Sequence, residues 1–355
     1  MSRENKLGRW GLALAAVLTG VLPFAAPEAC AEALAEGLAL CGGGLLVSLF
    51  PYLIVSVLLV RSGAAGVLGA FLTPAARLCG VRARAAGGVL LMGLVGGFAP
   101  AANAAAEAVR AGELTPGEAA ALLPACICSG PSFVVLTMGE EMLGSTGLGV
   151  RLILAQVLAG YLAAFVLRLG RRRTSEPAPA VERPTRPAPG EAGGIDQVIA
   201  NAAVAYLKLC GFVLYFRFLA AGLGALLPGG AATVLAMVLE VCSGCDLAAR
   251  SGRWAAWLCC AALSVQGASV LLQIRTLCPK EISFRPLLAA RLLHLPLSLG
   301  LFRLFLPGGA ADVFSTLPPQ VVPLRRVPPD CAALAFLGCC LVVCRLGKLR
   351  DSSAP

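Results

Sequence analysis

The residues best suited to chemistry lie where apolar sequence is interrupted. "LLPACICSGPSFVVL" (Leu122–Leu136) puts Ser129, Gly130, Pro131 and Ser132 in the centre of a run apolar enough for a membrane. Proline removes a backbone donor and glycine loosens the chain, so a continuous helix is not expected there. "CAALSVQGASVLL" (Cys260–Leu272) repeats the arrangement with Gln266, Gly267, Ala268 and Ser269. Hydroxyls, an amide and free helix N-termini at such breaks suit a carboxylate-bearing solute. "VGGFAPAANAAAEAV" adds Gly97, Pro100, Asn103 and Glu107, and "LEVCSGCDLAARSG" adds Glu240, Ser243 and Asp246. Both stretches read as a polar break with acidic residues beside it. Ionisable groups in membrane spans are costly and usually face a cavity. Glu107, Glu240 and Asp246 are therefore candidates for coupling a proton or sodium ion. Lys208 and Arg217, in "YLKLCGFVLYFRFL", sit about 90° off a shared helical face; one snorkels to the interface and the other attracts an anion.

Other chemistries find less material. No nucleophile sits beside a base, no phosphate loop follows a strand, and no cofactor motif is present, so the chain is not read as an enzyme. Cys242-Ser-Gly-Cys245 has the spacing of a redox or metal dyad. With one histidine in the chain and no second dyad, its cysteines read as small packing residues, as do most of the 15 cysteines. His294 reads as a helix-packing residue, and no metal site is expected.

These residues need a membrane to position them. Apolar residues make up 58% of the 355 and charged residues only 14%, with a mean hydropathy of +0.83. Soluble domains carry about a quarter charged residues. The net charge of +10 is gathered between apolar runs, at "VRAR", "LGRRRT", "ARSGR" and "CRLGKLR". That is the pattern of cytoplasmic loops in a polytopic protein, and it does not interleave with aromatics as nucleic-acid surfaces do. Expected spans are Trp10–Ala26, Leu38–Val60, Ala86–Ala108, Val150–Leu169, Val198–Leu226, Ala231–Ala248, Leu287–Phe305 and Cys331–Leu346. Keeping the basic loops inside requires Ala119–Met138 and Trp254–Ile274 each to enter and leave on one side.

The fold expected is all-α: eight transmembrane helices and two re-entrant hairpins arranged as an inverted repeat. Residues 1–37 form a first membrane helix or signal anchor, with "ACA" at Ala29–Ala31 as a possible cleavage pattern. Residues 38–170 form the first repeat, 171–196 a Pro-rich cytoplasmic linker, 197–306 the second repeat, and 307–355 a last helix with a basic tail. Inverted repeats with broken helices mark secondary transporters. The expected partners are the lipid bilayer, a small-molecule anion and a coupling ion, with oligomers allowed and no nucleic acid.

Between about Gly44 and Leu169 the chain resembles the YlbJ (SpoVV) sporulation integral membrane proteins, which share a nucleoside-recognition Gate domain. The resemblance rests on "VSLFPYLIVSVLLVRSG" and on "GGVLLMGLVGGFAPAANAAAEAVRAGELTPGEAAALLPACICSGPSFVV", with two Gly/Pro breaks joined by a short charged turn. The family residues at Gly97, Pro100, Ser129, Gly130 and Pro131 carry over. The family's Ser-Gly-Ala and basic residue after the first proline do not, since Ala101, Ala102 and Asn103 follow Pro100. The resemblance implies transport of dipicolinic acid from the mother cell across the outer forespore membrane, and a distant likeness to concentrative nucleoside transporters. A nucleoside-like solute on the same fold, or a membrane scaffold for the spore envelope, are the alternatives.

Overall fold

The computed structural model describes residues 3–174 and 194–306. Every regular element among them is a helix. Among the described residues five stretches are long and apolar enough to cross a membrane: Pro27–Val47, Thr146–Gly170, Ile195–Gly224, Gly252–Leu277 and Arg285–Phe305. The expected span Cys331–Leu346, most of the linker and the C-terminal region fall outside the described residues.

Helix α1 (Arg3–Ala25) turns at Pro27 into α2 (Pro27–Gly42), and α3 (Gly44–Arg61) follows. Short helices α4 (Ala64–Leu68) and α5 (Thr73–Leu78) lead to α6 (Ala85–Gly96) and α7 (Phe98–Arg110). These last two are a folded-back pair. A Cβ on Gly88 would touch Ala65, just beyond the end of α3, while one on Gly96 would touch Tyr52, midway along α3. Helix α7 then returns in the direction of α3: Asn103 bonds Ser56, and Glu107 bonds Arg61. Gly97 makes the tip, with φ +82° and ψ −163°, a conformation open to glycine and strained for any other residue. The run of alanines in α7 lets it pack closely enough for almost every residue to be buried.

Helix α8 (Pro116–Cys126) starts with a reciprocal cap, in which Thr115 Oγ1 accepts the Glu118 amide and the Glu118 carboxylate accepts the Thr115 amide. It stops at Ile127, and a π-helix, Ser132–Met142, resumes beyond Gly130. Both pieces lie along α9 (Thr146–Thr174). Gly160 faces Pro124 and Ala125, and Gly149 faces Val134 and Val135. The segment therefore runs on past its break instead of folding back.

The second half repeats the order. Helix α10 (Ile195–Gly224) precedes α11 (Gly229–Leu239) and α12 (Val241–Ala249). A Cβ on Gly244 would lie 2.7 Å from the Met237 Cα, a separation possible only if α12 doubles back on α11. Then come α13 (Ala255–Val265), a break at Gln266, α14 (Gly267–Leu277) and α15 (Arg285–Phe305). Helices α12 and α13 run antiparallel, with Cys259 Sγ on the Cys245 carbonyl. Helices α13 and α14 do not pack side by side. Cys278, at the far end of α14, reaches the Ala102 carbonyl on α7, so α14 extends alongside the first folded-back pair.

The two expected hairpins are thus corrected. Ala119–Met138 and Trp254–Ile274 are interrupted helices, and the expected spans Ala86–Ala108 and Ala231–Ala248 are the folded-back pairs. The physical reason is that charge placement counts sides only. Exchanging a crossing segment with its returning neighbour leaves every later loop where it was and moves only the loop between them. The expected linker boundary also shifts, because α9 continues through Thr174 and α10 begins at Ile195.

Candidate functional site

Each folded-back tip rests on the break in the helix that follows it. A Cβ on Gly97 would lie 2.6 Å from the Gly130 amide nitrogen, and one on Gly267 would lie 3.0 Å from the Glu240 amide nitrogen. The two breaks meet as well, through Gln266 Nε2 donating to Ser129 Oγ at 3.3 Å. Around this junction lies a partly open cavity of about 610 Å³, counting the open space at its mouth. One wall is the first tip and break: Gly96, Phe98, Ser129, Gly130, Ser132 and Phe133. The opposite wall is the second tip with α14: Glu240, Val241, Cys242, Val270 and Gln273. Leu45 and Leu49 of α3 and Tyr206, Leu209, Cys210 and Val213 of α10 close the sides.

Glu240 is the charged group in that lining and is only 1% exposed. Its backbone leaves the helix (φ −150°, ψ 124°), and its carboxylate caps α12. Oε1 accepts the Cys242 amide at 2.9 Å, and Oε2 accepts the Ser243 amide at 2.6 Å and the Ser243 hydroxyl at 2.9 Å. Free amides and the positive end of the helix offset burial of the charge, and such a cap stabilises by about 1 kcal/mol. Ser243 therefore serves Glu240 and not the cavity. On the other wall Ser132 begins the π-helix behind Pro131, a rare helix type that is frequent at functional sites.

The remaining expected site residues divide. Ser129, Gly130 and Ser132 line the cavity. Gln266 stands behind Ser129 in a left-handed conformation (φ 65°), its amide nitrogen also donating to the Leu263 carbonyl. Ser269, fully buried, accepts from the lining residue Gln273 at 2.9 Å. Gly97 and Pro100 shape the first tip, where Pro100 fills the space a Gly96 side chain would need. Asn103 donates to Ser56 Oγ at 2.9 Å and to the Leu53 carbonyl, tying α7 to α3 away from the lining.

Four expectations are corrected by position. Lys208 is exposed and outside the lining. Arg217 pairs with Glu36 of α2. Neither cation lies in the cavity wall, because hydropathy does not say which face of a buried helix a charge occupies. Glu107 pairs with Arg61 at 2.7 Å and Arg110 at 3.2 Å, at the foot of the first pair. Asp246 pairs with Arg250 one turn along the same helix. Of the three acids expected to couple an ion, only Glu240 faces the cavity. His294, expected to pack helices, does join two of them, with Nε2 3.0 Å from the Gln156 carbonyl of α9.

Sequence reading missed Arg291, Gln156 and Tyr206. Gln156 donates to Ser264 Oγ and the Cys260 carbonyl, both at 3.1 Å, joining α9 to α13. Tyr206 donates to the Cys41 carbonyl and stacks edge-on to Phe50. Polar residues inside strongly apolar helices were the available signal. No protein-family model, curated protein or solved structure matches the chain.

Proposed function

We propose that this chain is a multi-pass membrane transporter that moves a small organic solute through the cavity between the two tips. The observation that carries the reading is the meeting of two interrupted helices at Ser129 and Gln266, with a folded-back tip packed on each break. Broken backbone at membrane depth is tolerated where protein buries it or a wet cavity accepts its hydrogen bonds. Paired discontinuous helices around a central site are the architecture of secondary transporters. A scaffold would have no use for a cavity at the crossing that holds a buried carboxylate, two hydroxyls and an amide in an apolar wall.

In this reading α6–α7 and α11–α12 are re-entrant hairpins, and the two halves form an inverted repeat. Basic residues near the feet of the first hairpin (Arg77, Arg82, Arg84, Arg110), in the last turn of α14 (Arg275) and beyond it (Lys280, Arg285) support a cytoplasmic position for that face. The second hairpin then enters from the opposite face.

Two substrate classes compete. Dipicolinic acid, moved across the outer forespore membrane in a spore former, is what the family resemblance implies. The N-termini of α7 and the π-helix would favour an anion. An uncharged solute with a ring and hydroxyls, nucleoside-like, is the other. The second is favoured by the lining. Among the described residues no lysine or arginine lines the cavity, whereas Phe98, Phe133 and Tyr206 offer rings, and Ser129, Ser132, Gln273 and Glu240 offer hydrogen bonds. A dianion beside buried Glu240 would meet like charge. Glu240 is also the residue through which a proton or sodium ion would couple.

The test is uptake into lipid vesicles carrying the purified protein. Labelled uridine should accumulate faster than labelled dipicolinate. Faster dipicolinate uptake would reverse the substrate assignment, and uptake of neither would leave the scaffold reading in its place.

A further inference from the structure

Arg291 sits in α15 with its guanidinium between the two interrupted helices. Nη2 donates to the Ile127 carbonyl at 2.8 Å, at the end of α8, and Nη1 donates to the Ser264 carbonyl at 3.4 Å, near the end of α13. Both are C-terminal ends stopped inside the molecule, where carbonyls have lost their next-turn partners. Each such end carries about half a negative charge, so two ends together balance one guanidinium. The planar fork of arginine can serve two acceptors at once, which an ammonium does less well. Ser129 lies two residues past Ile127, and Gln266 two residues past Ser264. The side chains that join the breaks therefore stand one residue beyond the peptide units that Arg291 holds.

We infer that Arg291 is the positioning residue of the solute site: it fastens the C-terminal ends of both half-helices and so sets the cavity wall at Ser129 and Ser132. This rests on the transport reading above, but the joint itself can be judged without transport. Buried hydrogen-bonding capacity remains unused beside it. Gln266 Oε1, Arg291 Nε and His294 Nδ1 are buried without a protein partner, so the joint has groups free to bond in a second arrangement of the two helices. Arg291 acts through the backbone and touches no solute.

The test compares Arg291→Met and Arg291→Lys with the unaltered protein. Amide hydrogen exchange across Ile127–Ser132 and Val265–Ala268 should speed up about tenfold in Arg291→Met, the loss of one hydrogen bond to a charged group. Exchange in α1 and α2 should be unchanged. Arg291→Lys keeps the charge but not the fork, and should speed exchange at one break only. In uptake assays Arg291→Lys should raise KM more than it lowers the maximal rate per folded protein, a split that a loss of folded protein alone does not produce. Equal exchange at both breaks in Arg291→Lys and the unaltered protein would overturn the inference, and so would an increase spread evenly over the molecule. Should Arg291→Met fail to insert, the lysine variant still decides. Should the unaltered protein transport neither solute, the exchange arm still judges Arg291 while the transport reading falls.

Discussion

Gly130→Leu should abolish uptake while leaving the protein inserted and folded. The glycine lines the cavity, and its position allows a Cβ only 3.3 Å from the Gly96 carbonyl oxygen. A Cβ there is tight but bearable, whereas the rest of a leucine side chain must occupy the solute's space or push the first tip away. Gly117→Ala is the matched control, because a Cβ at Gly117 meets nothing within 4 Å. Near-normal uptake by Gly130→Leu would mean that the solute passes elsewhere.

The second large effect is one of sidedness. Cysteines introduced for Thr146, Arg253 and Ser283 are all at exposed positions. The described native cysteines are buried, and with Cys331, Cys339, Cys340 and Cys344 replaced by serine an impermeant maleimide should report mainly the introduced thiols. Thr146→Cys and Arg253→Cys should label from one face of the membrane and Ser283→Cys from the other. Charge placement read from the sequence puts Arg253 with Ser283. The geometry reverses this, because α13 and α14 run on past their break and separate the two loops. Labelling of Arg253→Cys and Ser283→Cys from the same face would restore Trp254–Ile274 as a hairpin and remove the proposed topology.

That reversal marks what the sequence could and could not carry. The breaks themselves were legible, since Gly97, Ser129–Ser132, Glu240 and Gln266–Gly267 interrupt apolar runs with glycine, proline or polar groups. All four converge on one junction. Which segment of each pair folds back was not legible, because the exchange moves only the loop between the two, bringing Arg110 to the basic face and taking Arg250 and Arg253 from it. Tertiary packing decides it: the alanines of α7 and Gly244 of α12 allow close antiparallel approach. Charges were read least well. Lys208 and Arg217 look central by position, yet one is exposed and the other pairs with Glu36. Arg291 looks like a boundary charge near the start of a span, yet it joins the two breaks. Only side-chain direction separates these cases, and hydropathy along a buried helix does not encode it.

The central claim is that solute sits between the two tips, against the first break. Ser132 faces that cavity and is half-buried, so Ser132→Cys gives a thiol at the proposed contact. Its alkylation by a small maleimide can be followed by peptide mass spectrometry, with native Cys79, buried outside the cavity lining, as internal reference. At ten times its half-saturating concentration, a transported solute should slow alkylation of the introduced thiol about tenfold by mass action. Cys79 should be unaffected. Equal alkylation rates with and without solute, in vesicles that still take the solute up, would contradict the account.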